Sequence, residues 1–406
     1  MKKISLYVIF AVITISISAQ KYEGLANTPP MGWNSWNKFA FNFDEKVIRE
    51  VVDAFEKNGL KDAGYEYIVL DDGWMTKERD ENGNLVPDPR KFPSGMKALA
   101  DYIHSKGLKF GIYNCAGTKT CGGYPGSAGN EYRDAKLYAS WDVDYLKYDW
   151  CNTDKKHAQT AYSTMRDAIK EAGRPMVFSI CEWGLNKPWV WGKEVGHLWR
   201  VTGDIANCWN CSYTFRKLST HGILPLLNIR KHDNLRKYSG PGHWNDYDML
   251  EVGNGMSDAQ NRSHFAIWCM LSSPLILGND LSKMQWETIN ILTNKELIDI
   301  NKDSLAIECF KYKTLWNIDI WARPLKNNAW AICFVNKNGF KIKLQYNWAK
   351  HIIEDEIFNK KLDCSHEVYT LRDLYAHKDI GTTETPLEKE IGKHDVLMLK
   401  LTLKNK

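Results

Sequence analysis

Strand-like and helix-like runs alternate in this chain from Asp44 to about Ile300, and that alternation constrains the fold more than any other feature. Residues 44–58 carry Val47, Ile48, Val51, Val52 and Phe55 on one helical stripe, with Gly59 as the stop. Residues 65–70 read as a strand ending in Asp71-Asp72-Gly73-Trp74. Ser94 is expected to cap a helix that presents Met96, Leu99, Ala100 and Ile103 and stops at Gly107. A strand follows at 109–114, and a helix around 135–141 leads into the strand-like stretch 143–151. The series continues with a helix at 154–172 and strands at 176–181 and 197–202. Ser257 and Gln260 form a capping box for a helix to Leu271, followed by a strand at 274–277 and helical sequence to about Ile300. Repeated units of this kind imply a parallel sheet, and each strand ends in polar or aromatic residues that a core would not choose. That suits a (β/α)8 TIM barrel, whose site collects at those strand ends. An open doubly wound sheet is the alternative, but no Gly-rich phosphate loop follows the early strands.

After about Phe310 the helical pattern stops. Residues 318–323, 329–336, 340–348 and 396–403 read as short strands separated by turns such as Asn327-Asn328 and Lys337-Asn338-Gly339. The expected organisation is therefore a barrel over 24–308 followed by an antiparallel β-sandwich over 309–406. Residues 1–19 have the form of a cleavable signal peptide: Lys2 and Lys3, an apolar run at 4–17 too short to span a bilayer, then Ser16, Ser18 and Ala19. The protein is thus expected to be exported, periplasmic or extracellular, with no membrane span in the mature chain. The formal net charge of +5, or +3 without Lys2 and Lys3, and the lack of a basic run with interleaved aromatics argue against a nucleic-acid partner. Export makes disulfides possible for the ten cysteines. Cys208-x-x-Cys211 lacks a second pair or His partners for a metal, so it is a local disulfide or two unrelated thiols.

The chemistry is expected at the strand ends, where Asp71, Asp72, Asp149, Glu182, Asp204 and Asp248 stand with Lys147 and Arg200. Scattered histidines give no metal framework. Adjacent Asp71 and Asp72 can clamp sugar hydroxyls, and nearby Trp33, Trp36 and Trp74 favour a sugar over simple helix capping. Side chains in a strand alternate faces, so Lys147 and Asp149 point the same way. Lys147 would keep Asp149 ionised, as a carboxylate nucleophile requires; a buried pair that only fixes a loop is the other reading. Glycoside cleavage needs a second, protonated carboxyl. Asp204 fits that part, its pKa raised by the charge of Asp149 until Asp149 becomes covalently occupied.

These residues fall in motifs that resemble glycoside hydrolase family 27, the melibiase-type α-galactosidases. The motifs are Pro30-Met31-Gly32-Trp33-Asn34-Ser35-Trp36-Asn37, Asp71-Asp72-Gly73-Trp74, residues 106–113, Tyr145-Leu146-Lys147-Tyr148-Asp149, Cys181-Glu182-Trp183, residues 200–204 and residues 240–250, in family order. The resemblance implies a retaining exo-α-galactosidase with Asp149 as nucleophile and Asp204 as acid/base. It implies a substrate site of Trp36, Asp71, Asp72, Tyr113, Lys147, Cys181, Glu182, Trp183, Arg200, Asp248 and Met249. It also implies a Cys121–Cys151 disulfide, no metal or organic cofactor, and an α-galactoside oligosaccharide, polysaccharide or glycoconjugate as substrate. Related α-N-acetylgalactosaminidases carry a small residue where Glu182 stands, and related β-L-arabinopyranosidases a longer acid where Asp72 stands, so both residues favour galactose. A non-catalytic sugar-binding barrel would not need both Asp149 and Asp204. The chain departs from the pattern at Gly73, usually Cys, at Tyr247, usually Pro, and in a longer segment over 205–239.

Overall fold

The computed structural model describes residues 20–154, 156–215, 218–229 and 234–404; the expected signal peptide lies outside them. Among the described residues eleven strands precede the C-terminal part: β1 (Met31–Asn34), β2 (Tyr67–Leu70), β3 (Lys109–Cys115), β4 (Tyr145–Asp149), β5 (Val177–Cys181), β6 (Leu198–Arg200), β7 (Asp204–Ile205), β8 (Ser212–Phe215), β9 (Leu218–His221), β10 (Trp244–Asp246) and β11 (Leu275–Leu277). Eight of them form one parallel sheet in the order β10-β6-β5-β4-β3-β2-β1-β11. A parallel bridge from Leu250, just past β10, to Leu277 of β11 joins the two ends. The chain is a (β/α)8 barrel with helices packed outside.

The two-residue period of each strand separates the barrel interior from the helix layer. Tyr67, Val69, Tyr145, Val177, Leu198 and Trp244 pack together inside the barrel. Ile68, Leu70, Leu146, Tyr148, Phe178, Ile180 and Trp199 belong to the larger core shared with the helices. Extending the inward set by one step brings Lys147 and Asp149 over Tyr145, and Asp71 over Val69. Interior aromatics need small neighbours: a Cβ on Gly32 would stand 2.6 Å from that of Tyr67.

The helices follow the sequence patterns with small shifts. The first long one is Glu45–Lys57, with Asp44 capping through its side chain. Helix Ala158–Ala172 starts later than expected, capped by His157. The Ser257–Gln260 capping box is present at helix Asp258–Met270. Ser94 departs from expectation: it occupies the cap position of helix Gly95–Ser105 without a side-chain bond, and its own N–H donates to Glu45. Strands β1 and β10 went unrecognised in the sequence, being only four and three residues long and broken by Asn and Trp.

The C-terminal part begins at strand Phe310–Leu315 and is wholly antiparallel. A six-stranded sheet faces two short strand pairs across a separate core that includes Ile320, Phe334, Leu344, Tyr346, Trp348 and Leu399. It is a β-sandwich of ten strands, of which the sequence pattern marked four; strands of three to five residues leave little periodicity to read. Among the described residues, no helix is long and apolar enough to cross a membrane.

Candidate active site

The strand ends bring most of the expected residues into three connected groups. The first surrounds Asp149, the last residue of β4. Its Oδ1 accepts the N–H of Trp150 at 2.8 Å, and its Oδ2 accepts the hydroxyl of Tyr113 at 2.9 Å. A disulfide joins Cys121 and Cys151, and its Cys121 sulfur touches Asp149 Oδ2 at 3.3 Å. Cys121, Asp149 and Cys151 lie as close as metal ligands, but both sulfurs are bonded to each other, which leaves one carboxylate as donor.

The second group is built on Asp71, the first residue after β2. Lys147 Nζ reaches Asp71 Oδ2 at 2.7 Å, and Asn34 Nδ2 donates to the same oxygen at 2.8 Å. The direct partner of Lys147 is thus Asp71, while its charge also favours the ionised form of Asp149, as the sequence reading has it. Residues two apart on a strand share a face but are separated by nearly 7 Å, and a lysine can lean across to the neighbouring strand end instead. Burial opposes the charge on Lys147; the attractions of Asp71, Cys181 and Asp149 together outweigh it and hold the ammonium pKa above its ordinary value. Asp72 accepts the Gly122 N–H at 2.6 Å through Oδ2, while its buried Oδ1 has no hydrogen-bond partner. An orphaned buried carboxylate oxygen at a strand end is suited to a ligand hydroxyl.

In the third group, Arg200 bridges Asp248 at 2.9 Å and Asp204 at 3.0 Å. Asp248 also accepts the N–H groups of Ile205 and Met249, and holds a backbone φ of +80°. Trp183 likewise sits at φ +56°. Left-handed backbone at bulky or acidic residues costs free energy and clusters at functional sites. Asn34, Lys147, Cys181, Arg200, Asp248 and Met249 line one cleft. Trp36 lines an adjoining groove of about 480 Å³ with Ile205, Asn207 and Glu251. Glu182 is fully buried and turns to Asn186, whose side-chain amide donates to it at 2.7 Å; neither it nor Trp183 lines the cleft.

Asn34 and Asp246 were missed by the sequence reading. Asn34 ends β1 and also caps the turn at Trp36 through Oδ1; Asp246 faces the cleft two residues before Asp248. Period-two counting back from Asp248 would have found the latter. At the two departures, the Phe41 ring covers Gly73, where a Cβ would stand 2.6 Å from it. Tyr247 uses the N–H a proline lacks to reach Ser273 Oγ at 3.2 Å.

The electrostatics correct the sequence reading. Burial pushes Asp149 up to about 7, against the attraction of Lys147, and the charge of Asp204 adds to the rise. The carboxyl lifted in the free site is therefore the expected nucleophile, because enclosure outweighs a cation that is already paired elsewhere. Burial likewise pushes Asp72 and Asp246 up to about 6 and Glu251 and Glu308 to about 7. A carboxyl with a raised folded pKa contributes stability at low pH that is lost as pH rises through that value. Buried His197 and half-buried His243, lowered to about 4, and buried His264, lowered to about 3, work the other way below their ordinary 6.5. The five large carboxyl shifts outweigh the three large imidazole shifts, so the free protein is expected to melt at a higher temperature at pH 5 than at pH 8. Calorimetry across that range checks it; a midpoint that rises toward pH 8 contradicts the balance.

The family model for Alpha galactosidase A matches residues 28–303, and that for the Alpha galactosidase C-terminal beta sandwich domain matches 316–401. Alpha-galactosidase A of Cellvibrio japonicus (strain Ueda107) is 49% identical over 391 residues, covering 96% of each chain. Alpha-galactosidase of Coffea arabica is 44% identical over 382 residues, covering 94% of this chain and 95% of that one. The crystal structure of alpha-galactosidase I from Mortierella vinacea superposes with a TM-score of 0.86 at 36% identity, covering 94% of this chain and 99% of that one. With the fold, the strand-end carboxyls and these matches running through nearly its whole length, the chain belongs to the alpha galactosidase A family.

Proposed function

We propose that this protein is an exported, retaining exo-α-galactosidase that releases terminal α-linked D-galactose through a covalent galactosyl-enzyme. The observation that carries the reading is the coupling of two carboxyls at one barrel mouth, Asp149 enclosed and Asp204 half exposed on Arg200. In the first step an oxygen of Asp149 bonds to the anomeric carbon as the glycosidic bond breaks, and Asp204 gives its proton to the departing oxygen. In the second, Asp204 takes a proton from water, which attacks the same carbon and frees Asp149. One proton on the pair is required, and it must sit on Asp204 when substrate is bound. Tyr113 and the Trp150 N–H hold the attacking carboxylate in place. Asp71 with Lys147, and the unpartnered oxygen of Asp72, offer charged and accepting partners for sugar hydroxyls.

Export is supported by the form of residues 1–19 and by two disulfides, which persist in oxidising compartments. Initial rates on p-nitrophenyl α-galactoside, the corresponding α-N-acetylgalactosaminide and the β-L-arabinopyranoside test the substrate. The galactoside is expected to dominate; galactose binding without turnover of any of the three would favour a sugar-binding protein. Because Glu182 is buried against Asn186 and does not line the cleft, Glu182→Ala is expected to leave the ratio of N-acetylgalactosaminide to galactoside rates within about twofold, and a rise of about 10-fold or more, the size of effect a pocket gains by removing a clash, would put this side chain against the sugar.

A further inference from the structure

We propose that the disulfide-locked hairpin between Cys208 and Gly222 positions Asp204 for proton transfer. The proposal rests on the acid/base reading of Asp204. That carboxyl is half exposed on the rim, and among the described residues its ion pair is to Arg200. Its backbone, however, is a strand: β7 pairs in parallel with β9, Asp204 opposite Thr220 and Ile205 opposite His221. Strand β9 in turn pairs with β8, Ser212 opposite His221. The carboxyl is thus placed by an accessory three-stranded sheet, outside the barrel sheet.

The base of that sheet is closed by a Cys208–Cys211 disulfide. Around it the Gly222 N–H donates to Cys211 O at 2.9 Å, the Ile223 N–H to Cys208 O at 3.1 Å and the Leu224 N–H to Trp209 O at 3.0 Å. The fit is tight: a Cβ on Gly222 would stand 2.5 Å from the Cys208 sulfur, and one on Gly203 would stand 2.0 Å from the Ser219 carbonyl. The outer side is anchored as well. The Trp209 ring stacks on His394 of the β-sandwich at 5.1 Å, and Asn207 donates to the Asn254 carbonyl. Among the described residues no hydrogen bond or ion pair runs from this hairpin to Asp149, Asp71 or Lys147, and its link to the sugar side is the Ile205 N–H on Asp248, so loosening it should disturb the proton donor first and leave the nucleophile and the Asp71–Lys147 pair in place. Proton transfer is steeply sensitive to placement, with about 1 Å of error costing about 100-fold.

The test uses aryl α-galactosides of similar size whose phenols range from dinitrophenol to phenol. First-step rates (kcat/KM) are measured for wild type, Asp204→Asn, Cys208→Ser/Cys211→Ser and Gly222→Ala. The last perturbs the hairpin with its disulfide intact and serves if the double variant does not fold. Both hairpin variants are expected to lose about 10- to 100-fold on the phenyl galactoside and about twofold or less on the dinitrophenyl galactoside, steepening the dependence on phenol pKa. Equal losses along the series, or none, in either folded hairpin variant while Asp204→Asn steepens it overturn the positioning role alone. A flat response of Asp204→Asn overturns the acid assignment and the proposal with it.

Discussion

Asp149→Asn is expected to lower turnover by about 10,000-fold or more while making the protein more stable at pH 8. The loss follows from chemistry: an amide cannot form and release a glycosyl ester, and no other carboxyl among the described residues is held by both Tyr113 and the Trp150 N–H. The gain follows from burial. Asp149 is pushed from 3.8 to about 7, and each pKa unit corresponds to about 1.4 kcal/mol, so the charged form carries a cost of up to about 4 kcal/mol at pH 8. The sign is fixed by linkage. A carboxyl raised in the folded state contributes stability below its unfolded value and loses it as pH rises through about 7. The stability gap between Asn and Asp should therefore open between pH 4 and pH 8 and close at the acid end. Turnover near wild type would remove Asp149 from the nucleophile's place. A gap that does not change with pH would mean that enclosure is not what lifts this group.

Breaking the Lys147–Asp71 pair should produce the second large effect. The two side chains are 14% and 3% exposed and 2.7 Å apart. Removing one partner of a buried pair leaves the other charged and uncompensated, at about 3–5 kcal/mol. Asp71→Asn should fall in that range, and Asp71→Asn/Lys147→Met should recover most of it, because the stranded ammonium is gone. Neither should process galactosides, since the clamp for the sugar hydroxyls is lost in both. Urea unfolding of the four proteins forms a double-mutant cycle whose coupling energy isolates the pair. A single variant that loses no more than an exposed pair such as Lys46–Glu50 would show that solvent reaches Lys147 freely.

Both predictions concern groups the sequence identified but did not arrange. The inward face of β4 was readable because Tyr145, Lys147 and Asp149 alternate with Leu146 and Tyr148. Motif order along the chain pointed to Asp71, Arg200, Asp204 and Asp248. The partner of Lys147 was not readable, since Asp71 is 76 positions away and becomes a neighbour only when the sheet curls. Asn34 was hidden for the same reason, as its bond to Asp71 crosses from β1 to β2.

The segment after Asp204 shows the same limit. Cys208 and Cys211 could be read as a bonded pair or as two separate thiols, in a longer segment that could reshape the leaving-group side. Only the register of β7 against β9 reveals that this turn sits behind a catalytic candidate. Likewise the Cβ-free positions at Gly203 and Gly222 have meaning only against Ser219 and Cys208.

By itself, then, the sequence determined what is local and periodic: the alternation that makes a barrel, the face each strand residue occupies, and the residue types gathered at the strand ends. Tertiary structure alone decided which charges pair and which carboxyl is enclosed. Burial and Coulomb attraction depend on through-space distance and on exclusion of water. Neither quantity is fixed by the order of residues until the strands have closed around them.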